Sequence, residues 1–114
     1  MQGCPFCRII EGQAAADELY RDERAVAFCD INPQAPVHIL VVPTEHIASL
    51  AEASAEHQEL LGHLLLVGAR VAAEQGITER GYRAVINTNR GAGQTVYHVH
   101  LHIIGGRPMG WPPG

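Results

Sequence analysis

What the chain lacks narrows its class first. No apolar run in its 114 residues approaches the roughly 18 that a membrane helix needs. The amino terminus shows no basic segment followed by an apolar one, so no secretory signal is read and a cytoplasmic protein is expected. Positive charge is short: Lys and Arg total 8 against 12 for Asp and Glu, a formal net charge of -4. That balance opposes diffuse attraction to nucleic acid, yet a local pocket can still hold a compact anion. Cysteine is scarce, three residues with two of them spaced Cys4-x-x-Cys7, which suits a reducing compartment better than a secreted disulfide framework. Cys29, inside an apolar run, is expected in the core. No internal repeat or low-complexity segment is present. A length of 114 residues suits one domain, 1–114, with a single core.

Hydrophobic periodicity supplies the elements. Residues 5–11 read as a short helix, with Pro5 early in it and Gly12 as its stop. Glu18–Arg21 and Ala25–Asp30 read as strands joined by Asp22-Glu23-Arg24. Two prolines break the pattern in Asn32-Pro33-Gln34-Ala35-Pro36, and the β-branched run Val37–Val42 then predicts a central strand ended by Pro43. Ala48–Ala53 fits one helical turn. Ser54 as N-cap and Gly76 as stop bound a helix of about twenty residues. Leu60, Leu64, Val67 and Val71 form its buried stripe, widened by Leu61, Leu65, Leu66 and Ala72. So apolar a helix is expected to touch two surfaces, its own sheet and a second subunit, with Gly62 and Gly68 permitting close approach. Gly81–Thr88 gives a strand, Asn89–Gly93 a loop, and His98–Ile104 the last strand. The order predicts an α+β fold with a mainly antiparallel sheet of five strands, one long and one short helix, and an extended tail over 107–114.

The last strand carries the most unusual pattern, His98-Val99-His100-Leu101-His102-Ile103-Ile104. A period of two sends the three histidines to one face and Val99, Leu101 and Ile103 to the other. Lone strand histidines are usually just hydrogen-bonded side chains. Three on one face point instead to chemistry on an anion or a metal, since imidazole can act as nucleophile, acid, base or ligand near neutral pH.

This pattern resembles the signature of the histidine triad hydrolases, and the chain is most similar to their Hint branch, the nucleoside phosphoramidases. Cys4-Pro5-Phe6-Cys7, residues 30–36 and 38–43, Gly93-Gln94-Thr95-Val96-Tyr97 and the tail Gly105–Gly114 carry the resemblance in order along nearly the whole chain. It implies a histidine triad fold, a homodimer with joined sheets, and a purine nucleotide substrate. The activity implied is hydrolysis of a nucleoside 5'-phosphoramidate, such as adenosine phosphoramidate to AMP and an amine. A dinucleoside polyphosphate or acyl-adenylate hydrolase is the enzymatic alternative, and a non-catalytic nucleotide-binding module the alternative of another class.

Residue roles follow from the same resemblance. His100 is the implied nucleophile, forming a nucleotidyl-histidine intermediate without a metal cofactor. His102, Thr95 and the loop amides around Gly93 are expected at phosphoryl oxygens, and Asn87 at the phosphate. His38 and His98 complete the catalytic histidines, although a satisfied core histidine is an equally bland reading of His38. Asp30 is expected to accept ribose hydroxyls, or else to cap a turn. Phe6, Ile9, Phe28, Ile31 and Leu40 match base-pocket positions and would also pass as core. Cys4 and Cys7 stand at zinc spacing, but a structural zinc takes four ligands. Microbial relatives imply His46 and His98 as the other two; a metal-free dithiol remains open. His57 and His63 are expected at the surface or in packing, and Trp111 in the tail as an anchor.

Overall fold

The computed structural model describes residues 3–114. Helix α1 (Pro5–Ile10) is followed by strands β1 (Glu18–Arg21), β2 (Ala25–Cys29) and β3 (Val37–Pro43), helix α2 (Gln58–Glu74), and strands β4 (Tyr82–Val85) and β5 (Leu101–Gly105). The strands form one sheet in the order β1-β2-β3-β5-β4, antiparallel at every pairing. This is the α+β architecture expected, with β5 inserted between β3 and β4.

Alternation along the strands divides the interior into two layers. Ala25, Ala27, Ile39, Val41, Leu101 and Ile103 face α2, where Leu60, Leu64, Val67 and Val71 complete one apolar cluster. Val26, Phe28, Leu40 and Val42 face the other way and meet Cys4, Phe6 and Cys7 of the amino-terminal segment. At Gly68 a Cβ would stand 2.8 Å from Ile103 Cδ1 and 3.1 Å from Leu101 Cδ2, so the missing side chain lets α2 lie close on β5. Gly62, the other glycine expected to allow close approach, faces open space.

Several boundaries differ from the sequence reading, each for a local reason. The long helix begins as a 3-10 turn, Ala55–His57, before α2 proper. His57 Nδ1 accepts from the Ser54 amide at 3.0 Å there. Gly76, at φ +75, follows the C-terminus of α2 as expected. The expected turn over 48–53 is the 3-10 turn Leu50–Glu52, and the fourth strand covers 82–85 rather than 81–88.

The last strand is the important correction. Ladder pairing starts at Leu101, opposite Val41, not at His98. Val42 and Pro43 pair with β2, and the Val99 amide donates instead to the Ile47 carbonyl at 2.8 Å. His98-Val99-His100 therefore lies outside the ladder, although Val99 still packs with the α2 layer. Cys29, expected in the core, is only partly buried.

Candidate active site

A cavity of about 560 Å³ opens on the sheet face opposite α2, and His38, His100 and His102 lie in its wall. Its volume is in the range of small-molecule sites. Phe6, Ile9, Phe28, Ile31 and Leu40 line it, together with Asp30, Gly93 and Thr95. The expected base-pocket and phosphate-loop residues are thus brought together, with the exception of Asn87. Asn87 follows β4 and is not among the lining residues. Ile31 is 98% exposed, an apolar side chain with its face open to whatever enters.

Hydrogen-bond partners fix the protons on the rings. A carbonyl oxygen can only accept, so His100 Nδ1 donates to the His98 carbonyl at 2.8 Å. In neutral His100 the proton is then on Nδ1, and Nε2 carries a bare lone pair. The Gln34 amide donates to His38 Nδ1 at 3.0 Å, which leaves the proton on His38 Nε2. That proton is donated to His102 Nδ1 at 2.9 Å. His102 must therefore carry its own proton on Nε2, a buried atom with no partner among the described residues. An unpaired buried donor is costly, and its ring stands in the cavity wall. Burial holds the His102 pKa down at about 4, aided by the neighbouring His100 and His38. Burial also lowers His38, against the opposing pull of Asp30.

Asp30 takes the turn-capping role and also stands in the cavity wall. Oδ1 accepts from the Asn32 amide at 2.9 Å as a turn cap, while Oδ2 lies 3.3 Å from His38 Nε2 on the cavity wall. The loop between β4 and His98 departs from expectation at Gly93, whose amide donates to the Arg90 carbonyl at 3.0 Å. The Gln94 amide is likewise used, donating to the Asn89 carbonyl at 3.1 Å. The Thr95 amide and hydroxyl have no partner among the described residues and are the donors left to face an oxyanion.

His98 does not share this cavity. Its ring is fully buried at 0% exposure, where Nε2 donates to the Pro43 carbonyl at 2.8 Å. Its Nδ1 lone pair then faces Cys4 Sγ and Cys7 Sγ at 3.4 Å each and His46 Nδ1 at 3.1 Å. His46 Nδ1 also lies 3.4 Å from Cys7 Sγ. Burial raises the Cys7 thiol, and the hydrogen bond and charge of Cys4 add to it. All four ligand atoms lie within 4.8 Å of one another. Tetrahedral zinc with bonds of about 2.0–2.3 Å sets its ligand atoms about 3.3–3.8 Å apart, so this set fits the metal. Asp30, His38 and His102 are also close enough to suggest a metal, but they do not fit one. His38 Nδ1 is occupied by the Gln34 amide, and the proton this leaves on Nε2 blocks that atom as a ligand.

Of the two placements expected for His98, the ring lies in the cysteine cluster, while its carbonyl accepts from His100 Nδ1. Gln94, which the sequence presents as one polar residue in a glycine-containing loop, is 5% exposed and fully hydrogen-bonded. Its place in the stretch Gly93–Tyr97 that carries the family resemblance was the available signal, with nothing to say what the side chain holds.

A bare imidazole nitrogen beside a protonated one, over a cavity with apolar walls, pairs a nucleophile with a hydrogen-bond donor. The chain belongs to the histidine triad superfamily: the family model described as scavenger mRNA decapping enzyme C-term binding matches residues 3–110. Within the superfamily it is 48% identical to the purine nucleoside phosphoramidase of Escherichia coli over 105 residues, 92% of this chain and 88% of that protein. This similarity supports the Hint-like branch. The HIT family hydrolase of Legionella pneumophila superposes with a TM-score of 0.95 at 46% identity, covering 97% of this chain and 99% of that one. A zinc-bound histidine triad family protein of Mycobacterium smegmatis superposes with a TM-score of 0.81 at 32% identity, covering 99% and 81%.

Proposed function

We propose that this hydrolase cleaves the P–N bond of purine nucleoside 5'-phosphoramidates, releasing a nucleoside monophosphate and an amine through a nucleotidyl-His100 intermediate. The observation that carries the reading is the pair of opposite tautomers, a bare Nε2 on His100 beside an unpartnered Nε2–H on His102. His100 Nε2 forms a bond to the α-phosphorus as the P–N bond breaks; the bonding pair leaves on the amine nitrogen, which takes a proton from solvent. Water then attacks the same phosphorus and gives a proton back to solvent as the N–P bond breaks and its electron pair returns to His100 Nε2, so two easier displacements replace one. His102 Nε2–H and the Thr95 donors stabilise the phosphoryl oxygens as charge develops. Asp30 accepts ribose hydroxyls, and Phe6, Ile9, Phe28, Ile31 and Leu40 enclose the base; Asn87 is given no role. The similarity to the E. coli phosphoramidase supports this substrate class over dinucleoside polyphosphates.

The experiment is denaturing mass spectrometry after rapid mixing with adenosine phosphoramidate. An adduct of one adenylate on the His100 peptide is expected, absent in His100→Ala. Undiminished turnover in His100→Ala would eliminate the mechanism.

Cys4, Cys7, His46 and His98 hold a structural zinc in this reading, supported by their geometry and by the zinc-bound relative. When bound, zinc would tie the amino-terminal segment to the sheet; it supplies no step of the reaction. A homodimer is part of the same reading, supported by the free outer edge of β4 and by Leu65 and Leu66 on α2, exposed by 50% and 73%. Joined at their edges, two sheets would form one. Light scattering that returned the monomer mass would reject this part alone. Among the described residues, no helix is long and apolar enough to cross a membrane.

A further inference from the structure

We infer that Gln94 is the positioning residue of the phosphoryl-binding loop, acting through Thr95 without touching the substrate. Its amide ends on three backbone groups. Oε1 accepts from the Asn89 amide at 2.8 Å, and Nε2 donates to the Ala48 carbonyl at 2.8 Å and the Val96 carbonyl at 3.0 Å. One side chain therefore holds both ends of the loop and fastens it to the segment after β3. Thr95 is the residue trapped between these clamps, flanked by Gln94 itself and by Val96.

The loop needs such a clamp because its backbone is not self-supporting. Asn89 and Gly93 adopt φ of +67 and +90, and only Gly adopts that region freely. Internal bonds consume the amides of Ala92, Gly93 and Gln94, so no ladder orients Thr95. Gln94, 5% exposed, replaces the ladder. Removing its amide would leave three partly buried backbone groups without their partner, a cost the loop relieves by moving. Displacement of Thr95 would then weaken recognition of the phosphoryl group and leave the nucleoside half of the cavity alone.

The inference rests on the phosphoryl-transfer reading above, and the test separates the two. Calorimetry with AMP and adenosine is run on the parent, on Gln94→Met, which keeps the length without the amide, and on Gln94→Glu, which keeps an acceptor for Asn89. Gln94→Met is expected to lower AMP affinity about tenfold, the loss of roughly one well-made hydrogen bond to a charged group, with adenosine affinity unchanged. Gln94→Glu should fall in the same direction and stands in if the methionine variant does not fold. In turnover of adenosine phosphoramidate, kcat/KM should fall by at least the same factor. Thr95→Ala should cost much less in the Gln94→Met background than alone, since residues acting as a unit are non-additive. A lowered Tm with an unchanged AMP-to-adenosine affinity ratio, or additive effects of Gln94 and Thr95, would overturn the inference while leaving the reaction standing. A parent protein that binds AMP no better than adenosine would overturn both.

Discussion

Two groups of imidazoles lie close together on one sheet face, one around His98 and one around His102, yet they are built for opposite uses. Around His98 the lone pairs converge: its Nδ1 faces two sulfurs and a second ring nitrogen, with its only proton sent away to Pro43. Around His102 each lone pair meets a proton, from the Gln34 amide to His38 and from His38 to His102, and one N–H is left over at the end. A cation suits the first arrangement and an anion the second. The lesson is that residue identity does not choose between metal and acid–base chemistry; the partner of the far ring nitrogen does.

The largest effect that would sharpen this contrast comes from exchanging the two rings' fates. His100→Ala should lower turnover of adenosine phosphoramidate by at least about 10⁴-fold, with zinc content and Tm close to those of the parent. Cys4→Ser, on the other side, should release the metal. Elemental analysis is expected to fall from about one zinc per chain to a small fraction, and Tm to drop by on the order of 10 °C as the amino-terminal segment loses its tie. If His100→Ala lost the zinc as well, the two groups would be one site and the contrast would collapse.

The sheet, the helix stripe and the face of each triad residue were legible because they depend on periodicity alone. Val99, Leu101 and Ile103 pack toward α2 as the alternation demands. The start of the last strand was not legible, because it is set by a partner far along the chain: Pro43 ends the useful edge of β3 and Ile47 captures the Val99 amide. The same long-range fact parts His98 from the cavity. Spacing cannot see it, since all three histidines occupy equivalent positions in the pattern. The resemblance to known hydrolases named both the cysteine cluster and the nucleophile, but neither it nor the composition revealed that Gly93's amide is consumed inside its own turn or that Gln94 holds that turn.

A smaller effect tests the proton relay. His38→Phe keeps an aromatic ring and removes the donor to His102 Nδ1. The His102 proton is then free to settle on either nitrogen, and the donor over the cavity is lost part of the time. The cost is that of one buried hydrogen bond, about 1–3 kcal/mol, or roughly 5- to 150-fold in kcat. Zinc content should not change, because no atom of His38 belongs to the metal group. Equal losses of kcat and metal would show the two groups to be coupled through the sheet.

The finest distinction is in how the buried rings titrate. His102 is held down at about 4 from an ordinary 6.5, by burial first and then by its imidazole neighbours. Its neutral form is thus the one the fold prefers, and the contribution to stability is fully present above pH 6.5. As pH falls from 6.5 toward 4, the unfolded chain takes up a proton that the folded ring refuses, and stability declines across that window. His102→Asn removes the group that titrates, so the stability lost between pH 7 and pH 5 should be smaller in the variant than in the parent. Nitrogen-15 spectra at pH 7 give the direct reading, with His102 protonated on Nε2 and His100 on Nδ1. Two rings in the same tautomer would mean that the donor and the nucleophile are not distinguished before substrate binds, and the proton bookkeeping that separates this cavity from its cysteine-bound neighbour would fail at its most specific point.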